Sequence, residues 1–201
     1  MSYKRFDNED VVVSAESVTA PVFSGDVTTL TTFFTSSTQI GGTSADYYYD
    51  IYQTASALDT ARVQFSIAYA DKMGSGSLRF NSAVTASSPS STIYGQYRNL
   101  VLGDEESDFT FGNITSEHFY AIAIDRARYK EALLPGTLGL KLHVSSSGAE
   151  ITLTDNSQIV TTTTFTDAGR VFELVSGSAG TVYTGLETNG YSGNSGSYGK
   201  L

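Results

Sequence analysis

Cysteine is absent from the 201-residue chain, which excludes a disulfide framework, a thiolate zinc site and a cysteine nucleophile. Tryptophan is absent too, and with it the commonest sugar-stacking platform. Only two histidines occur, His118 and His143, far apart and without an HExxH-like neighbourhood. A catalytic or metal-binding histidine needs convergent partners, so the bland placement is favoured: His143 on the polar side of a hairpin, His118 at the start of a strand. No GxSxG elbow, GxxxxGK[ST] loop or strand-to-helix GxGxxG occurs. No stretch approaches the roughly 20 apolar residues of a membrane-spanning helix. The opening Met1 to Asp7 carries no apolar run of the secretory kind. Positive charge is also scarce. Twelve Lys and Arg face 21 Asp and Glu, a net charge of -9 with a pI near 4.5. Binding to phosphate backbones or anionic lipid needs the opposite balance, so neither a nucleic acid nor a membrane is expected as partner. The same charge favours solubility at high concentration.

What the chain has in plenty is Tyr and Phe, 13 and 11, with abundant Ser, Thr and Gly. Thr, Tyr, Phe and Val favour pleated, half-buried surfaces, so the composition leans to β. Arg62 to Ala70 shows the clearest period of two. Val63, Phe65, Ile67 and Tyr69 alternate with Arg62, Gln64, Ser66 and Ala68, which predicts one buried face on the odd positions. Leu138, Leu140, Leu142 and Val144 alternate likewise, and after the turn Ser145 to Gly148 the pattern resumes at Ile151 and Leu153, predicting a hairpin. Val171 to Val175 and Thr181 to Thr184 fit a second one. Leu78 and Phe80 could open another strand, and Phe109 and Phe111 lead to a Gly112-Asn113 turn. Asp71 to Ser77, with two glycines, reads as a flexible loop.

Two segments carry helical signals. Ser88-Pro89 has the form of a helix start, Ile93, Tyr97, Leu100 and Val101 fall on one face, and Gly103 fits the stop. Asp125 to Leu134 is a second short helix candidate, closed by Pro135-Gly136. The reading is therefore a mainly β, antiparallel, sandwich-like domain with two short helices, Pro89 to Leu102 and Asp125 to Leu134, and extended termini. By composition residues 1–20 form an N-terminal arm, 21–175 the β-rich domain and 176–201 a flexible Gly/Ser/Tyr-rich segment.

The carboxylates Asp104, Glu105, Glu106 and Asp108 could bind a hard cation, but they lack the ligand spacing and central Gly of an EF-hand loop, and a solvated acidic loop is the stronger reading. No catalytic residue, metal or cofactor is assigned. The rival of a different class is a glycan hydrolase using two carboxylates distant in sequence. The candidate interface residues are Tyr47, Tyr48 and Tyr49, since Tyr offers a large ring, few rotamers and a polar tip. To these are added Arg126, Arg128 and Lys130, the densest basic patch, able to pair with carboxylates of the chain itself or of a neighbour.

One series of segments has a wider likeness. Thr92-Ile93-Tyr94-Gly95-Gln96-Tyr97-Arg98-Asn99-Leu100-Val101-Leu102 is followed by Phe109-Thr110-Phe111. Then come Ala121 to Glu131, with Arg126-Ala127-Arg128-Tyr129-Lys130 at its centre, and Leu134-Pro135-Gly136. Together they resemble a family of virion structural proteins of large contractile-tailed bacteriophages, cyanophages among them. The shared pattern is an aromatic helix with Q-[YF]-[RK]-N, an F-x-F strand, and R-x-R-[YF]-K before a Pro-Gly turn. The likeness spans roughly Arg62 to Val175. It implies a non-enzymatic subunit of the tail or baseplate, assembled in the host cytoplasm, with other virion proteins as partners and many copies in a symmetric particle. Members of the family continue past the end seen here, so the chain reads as shortened. A receptor- or glycan-binding adhesin, or a capsid decoration or neck protein, is the alternative.

Overall fold

The computed structural model describes residues 18–35, 48–75, 89–111, 114–143, 148, 150–166, 169–183 and 197–201. In chain order the first strands are β1 (Val18–Thr19), β2 (Phe34–Thr35), β3 (Tyr48–Tyr52) and β4 (Val63–Asp71). After the helix α1 (Pro89–Leu102) come β5 (Phe109–Phe111), β6 (Ile114–Ser116), β7 (His118–Ile124), β8 (Ala132–Leu133) and β9 (Leu140–His143). The last are β10 (Glu150–Asp155), β11 (Thr164–Thr166), β12 (Gly169–Val171), β13 (Glu173–Ser178), β14 (Thr181–Val182) and β15 (Gly199–Lys200). The chain is mainly β, and its sheets are antiparallel apart from the short parallel pair β1–β8.

Two sheets organise the molecule. The first runs β2–β3–β4–β7. The second runs β14–β13–β10–β9, with β15 also on β13. The expected hairpin is β9–β10, which sets Leu140 opposite Leu153 and Leu142 opposite Ile151. Thr181–Val182 does form a hairpin, but with Gly177–Ser178 and not with Val171 to Val175: Val171 pairs with Thr164, and Leu174 and Val175 pair with β10. The expected strand at Leu78 and Phe80 lies outside the described residues, as does the Gly112-Asn113 turn.

α1 occupies the predicted span, with Pro89 where a missing N–H costs nothing. Gly103 ends it at φ +65, its N–H donating to the Asn99 carbonyl at 3.1 Å. The helix packs on β4, and its anchor is Tyr94, almost fully buried against Ala70 and Phe109. The Tyr94 ring meets Phe109 edge-on at 5.6 Å and Phe119 at 5.5 Å, while Phe109 and Phe119 lie 4.5 Å apart. Ile93, Tyr97 and Val101 flank this core, but Leu100 points outward and is 58% exposed. The apolar face of the helix is thus turned from the predicted one, towards Ser90 and Tyr94.

The second expected helix does not form. Asp125 caps a single 3₁₀ turn, Arg126–Arg128, by accepting the Ala127 N–H at 2.9 Å. Tyr129 is then extended, and Ala132–Leu133 pairs with Val18–Thr19. The Arg128 carbonyl accepts from Val22 N–H at 2.8 Å and Leu134 N–H donates to Thr19 at 3.0 Å. Backbone pairing with the N-terminal segment outweighs the weak local helical pattern.

The far end of the chain also differs from its composition. β15 pairs with Glu173 and Leu174, and Phe172 and Leu201 exchange both backbone bonds at 3.0 and 2.8 Å. Gly199 fits beside the Leu174 side chain, where an added Cβ would come within 3.2 Å. The loop after β4 is likewise built rather than slack. Asp71 accepts from the N–H groups of Met73 at 2.9 Å and Ser75 at 3.1 Å.

Candidate interaction surface

A strand exposes alternate residues on opposite faces, so the register fixes which side chains of the first sheet stand together. One face carries Ser66, Ala68 and Ala70 from β4, with Ala123, Ala121 and Phe119 of β7 beside them. These small side chains leave room for α1. On this face Gln64 is fully buried and fully used. Its Oε1 accepts from Ser24 N–H at 2.8 Å, and the two hydrogens of its Nε2 are shared among Ser24 Oγ, Gln53 Oε1 and the Arg62 carbonyl at 3.1, 3.0 and 2.6 Å. Alternation therefore marks two different faces on β4, but the expected assignment fails: between Val63 and Ala70 only Gln64 and Ala70, both on the even face, are buried.

The other face joins Phe65, Ile67 and Tyr69 to Ile124, Ile122 and Tyr120 of β7, and Ile51 and Tyr49 of β3. Ile51 is buried, while Tyr120 is 59% and Ile122 44% exposed. Phe33 meets Phe65 edge-on at 5.9 Å and is itself largely exposed. Tyr69 and Tyr120 stand 5.4 Å apart. Burial raises the Tyr69 pKa above its ordinary value, with the nearby Asp71 carboxylate adding to the effect. An aromatic and aliphatic stripe therefore crosses the sheet and reaches solvent at its β7 side.

The candidate residues divide between these surroundings. Tyr47 lies outside the described residues. Tyr48 stands on the small-residue face opposite Ala68 and is 56% exposed, whereas Tyr49 stands on the apolar face opposite Ile67. Arg126 is exposed, donates to the Tyr129 carbonyl at 2.8 Å and lies over that ring at 4.9 Å. Arg128 is half-buried and spent within the chain, donating to Ser24 Oγ at 2.9 Å and the Val63 carbonyl at 3.0 Å. The Lys130 backbone N–H donates to Thr19 Oγ1 at 3.1 Å, and its side chain is exposed. The basic patch is thus not one surface. The composition cannot show this, because Arg128 closes a 3₁₀ turn that aims it back at the Val63 carbonyl of β4.

His118 and His143 are both exposed, and His143 lies 3.5 Å from Glu150. In the acidic loop Asp104 accepts from Glu106 N–H at 2.8 Å and from the Ser107 hydroxyl, which holds its pKa below the carboxylate norm. Among the described residues no group of three or more His, Asp or Glu is placed to hold a metal ion. No helix among them is long and apolar enough to cross a membrane.

One ion pair tethers the helix region to the sheet. Lys72 Nζ lies 2.6 Å from Asp108, whose carboxylate is also 3.5 Å from the Tyr94 hydroxyl. The hydrogen bond from Lys72 lowers the Asp108 pKa, and the same bond raises that of Lys72. A depressed carboxylate contributes stability above its unfolded value, lost as pH falls through the folded one. A raised lysine contributes below its unfolded value, lost as pH rises through the folded one. The pair should therefore loosen below the ordinary carboxylate value of 3.8 and above the ordinary lysine value of 10.5. Both side chains are about one-third exposed, so the effect is modest and screened by salt. Thermal midpoints across pH should show Asp108→Asn flattening the acid limb. An acid limb unchanged by that substitution would place the sensitivity elsewhere.

No protein-family model, curated protein or solved structure matches the chain.

Proposed function

We propose that this chain is a non-enzymatic structural subunit of a contractile-tailed phage particle, placed in the tail or baseplate and working through protein–protein contacts in multiple copies. The observation that carries the reading is the open apolar stripe of the first sheet. Phe33, Tyr120 and Ile122 are exposed beside half-buried Phe65, Ile67 and Tyr69. Contiguous apolar surface of this kind marks contact sites, and aromatic residues are enriched at their centres. The acidic charge supports it, since a subunit must stay dispersed at high concentration before assembly. The likeness of Thr92 to Gly136 to virion proteins supplies the particle.

The test is to find the chain by mass spectrometry in purified particles and to locate it by electron cryomicroscopy. Symmetric copies in the tail or baseplate are the expected result. Density on the head lattice would replace the tail by the capsid, and a chain absent from purified particles would overturn the reading. Release of product from host-wall or capsular polysaccharide, abolished by one Asp or Glu substitution, would overturn the non-enzymatic part.

A further inference from the structure

Among the described residues the first sheet ends at β7, whose own sequence carries no charge or proline to discourage pairing. Lys72 N–H donates to the Glu117 carbonyl at 2.7 Å and Asp125 N–H to that of Gln64 at 3.2 Å. In an antiparallel ladder hydrogen-bonded and non-bonded pairs alternate. The odd residues of β7 therefore turn their backbone groups to β4, and His118, Tyr120, Ile122 and Ile124 turn theirs outward. The His118 carbonyl accepts from Ser116 Oγ. Among the described residues the outward groups of Tyr120 and Ile122 have no backbone partner. The strand is seven residues long, with no Lys, Arg, Asp, Glu or Pro in it. The edge of the second sheet is different: β9 carries Lys141 and His143, with Lys141 paired to Glu150 at 2.5 Å.

We infer that β7 is a self-pairing edge, on which a second copy of this chain adds its own β7 antiparallel about a two-fold axis at Ile122. Two copies of a chain with net charge -9 repel, so the contact must avoid facing carboxylates. This register does so. Ile122 faces Ile122 of the second copy, and Tyr120 faces its Ile124, giving about six backbone bonds, two per facing pair. Neither Glu117 nor Asp125 meets a carboxylate in it, since they fall opposite Ala127 and Phe119 of the second copy. A register one residue towards the N-terminus would set Glu117 against Asp125 at both ends. The two sheets become one, and the apolar stripes carrying Tyr120 and Ile122 run on from copy to copy.

The inference deepens the assembly reading by naming a partner, and the two fail separately. Sedimentation equilibrium of the full chain should give a concentration-dependent dimer. Ile122→Lys places two cations at the axis, and Ile122→Pro removes an outward N–H that β4 does not use. Both should give monomer mass with unchanged far-UV circular dichroism. A wild-type chain that stays monomeric into the high micromolar range overturns the inference, as does a dimer unmoved by both folded Ile122 variants. If such a monomer is still found in purified particles, the assembly reading survives. A β7 dimer absent from particles has the reverse meaning.

Discussion

Tyr94→Ala is expected to destabilise the chain by about 3–5 kcal/mol, the range for deleting a buried aromatic ring. The ring fills the space between α1, Ala70 and the Phe109–Phe119 pair. Its removal takes away two aromatic contacts and leaves a cavity that the helix cannot close, because Ser90 is already fully buried on the same helical face. Tyr94→Phe is the control. The hydroxyl lies 3.3 Å from the Ser116 carbonyl and 3.5 Å from Asp108, both long for such bonds, so its loss should cost about 1 kcal/mol or less. Urea denaturation followed by circular dichroism measures both. Equal midpoints for the two variants would mean that Tyr94 does not anchor the helix.

That residue also marks where the sequence stops being legible. The ends of α1 can be read because Pro89 and Gly103 act locally, through a missing N–H and a left-handed φ. Its buried face is misread by a fraction of a turn. Leu100 looks like a core residue and Tyr94 does not, yet the ring packs under the helix with its hydroxyl at the rim. On β4 the period of two is plain, but it cannot say which face a helix covers. The helix packs at Ala70 because close approach needs a small side chain, and the larger odd positions are left to the open stripe. Gln64 passes for a surface residue until its partners, Ser24 forty positions earlier and Gln53, are brought to it. The open edge of β7 could not be read, since its exposure depends on strand order, which no local pattern encodes. The pairing of Gly199–Lys200 with β13 is hidden for the same reason.

The second large effect is expected at Asp155, a fully buried residue at the end of β10. Both its carboxyl oxygens accept from Gly136 N–H at 2.9 Å, and one also accepts from Ser157 N–H at 3.1 Å. The turn it holds is tightly seated. Gly136 stands at φ +82, and Gly180, at φ +81, approaches so closely that an added Cβ would lie 2.5 Å from the Gly136 carbonyl oxygen and 2.4 Å from Gln158 Nε2. Gly180 N–H in turn donates to the buried Thr154 hydroxyl at 2.8 Å, and that hydroxyl donates to the Leu138 carbonyl at 2.8 Å. Three turns thus meet at one end of the second sheet through backbone donors that Asp155 and Thr154 satisfy. Asp155→Ala leaves the backbone N–H groups of half-buried Gly136 and Ser157 without their acceptor beside an emptied buried site, each costing about 1–3 kcal/mol. The expected loss is about 3 kcal/mol, or roughly 6–12 °C in the unfolding midpoint of a chain this size. Asp155→Asn should recover only part of it, because an amide has one acceptor oxygen where the carboxyl uses two. Ser157→Ala is the neutral control, expected within about 0.5 kcal/mol of the parent, since only the backbone of Ser157 is engaged with Asp155. Differential scanning calorimetry of the three variants decides the matter. A midpoint for Asp155→Ala within about 2 °C of the parent would show that the turns hold without the carboxyl group.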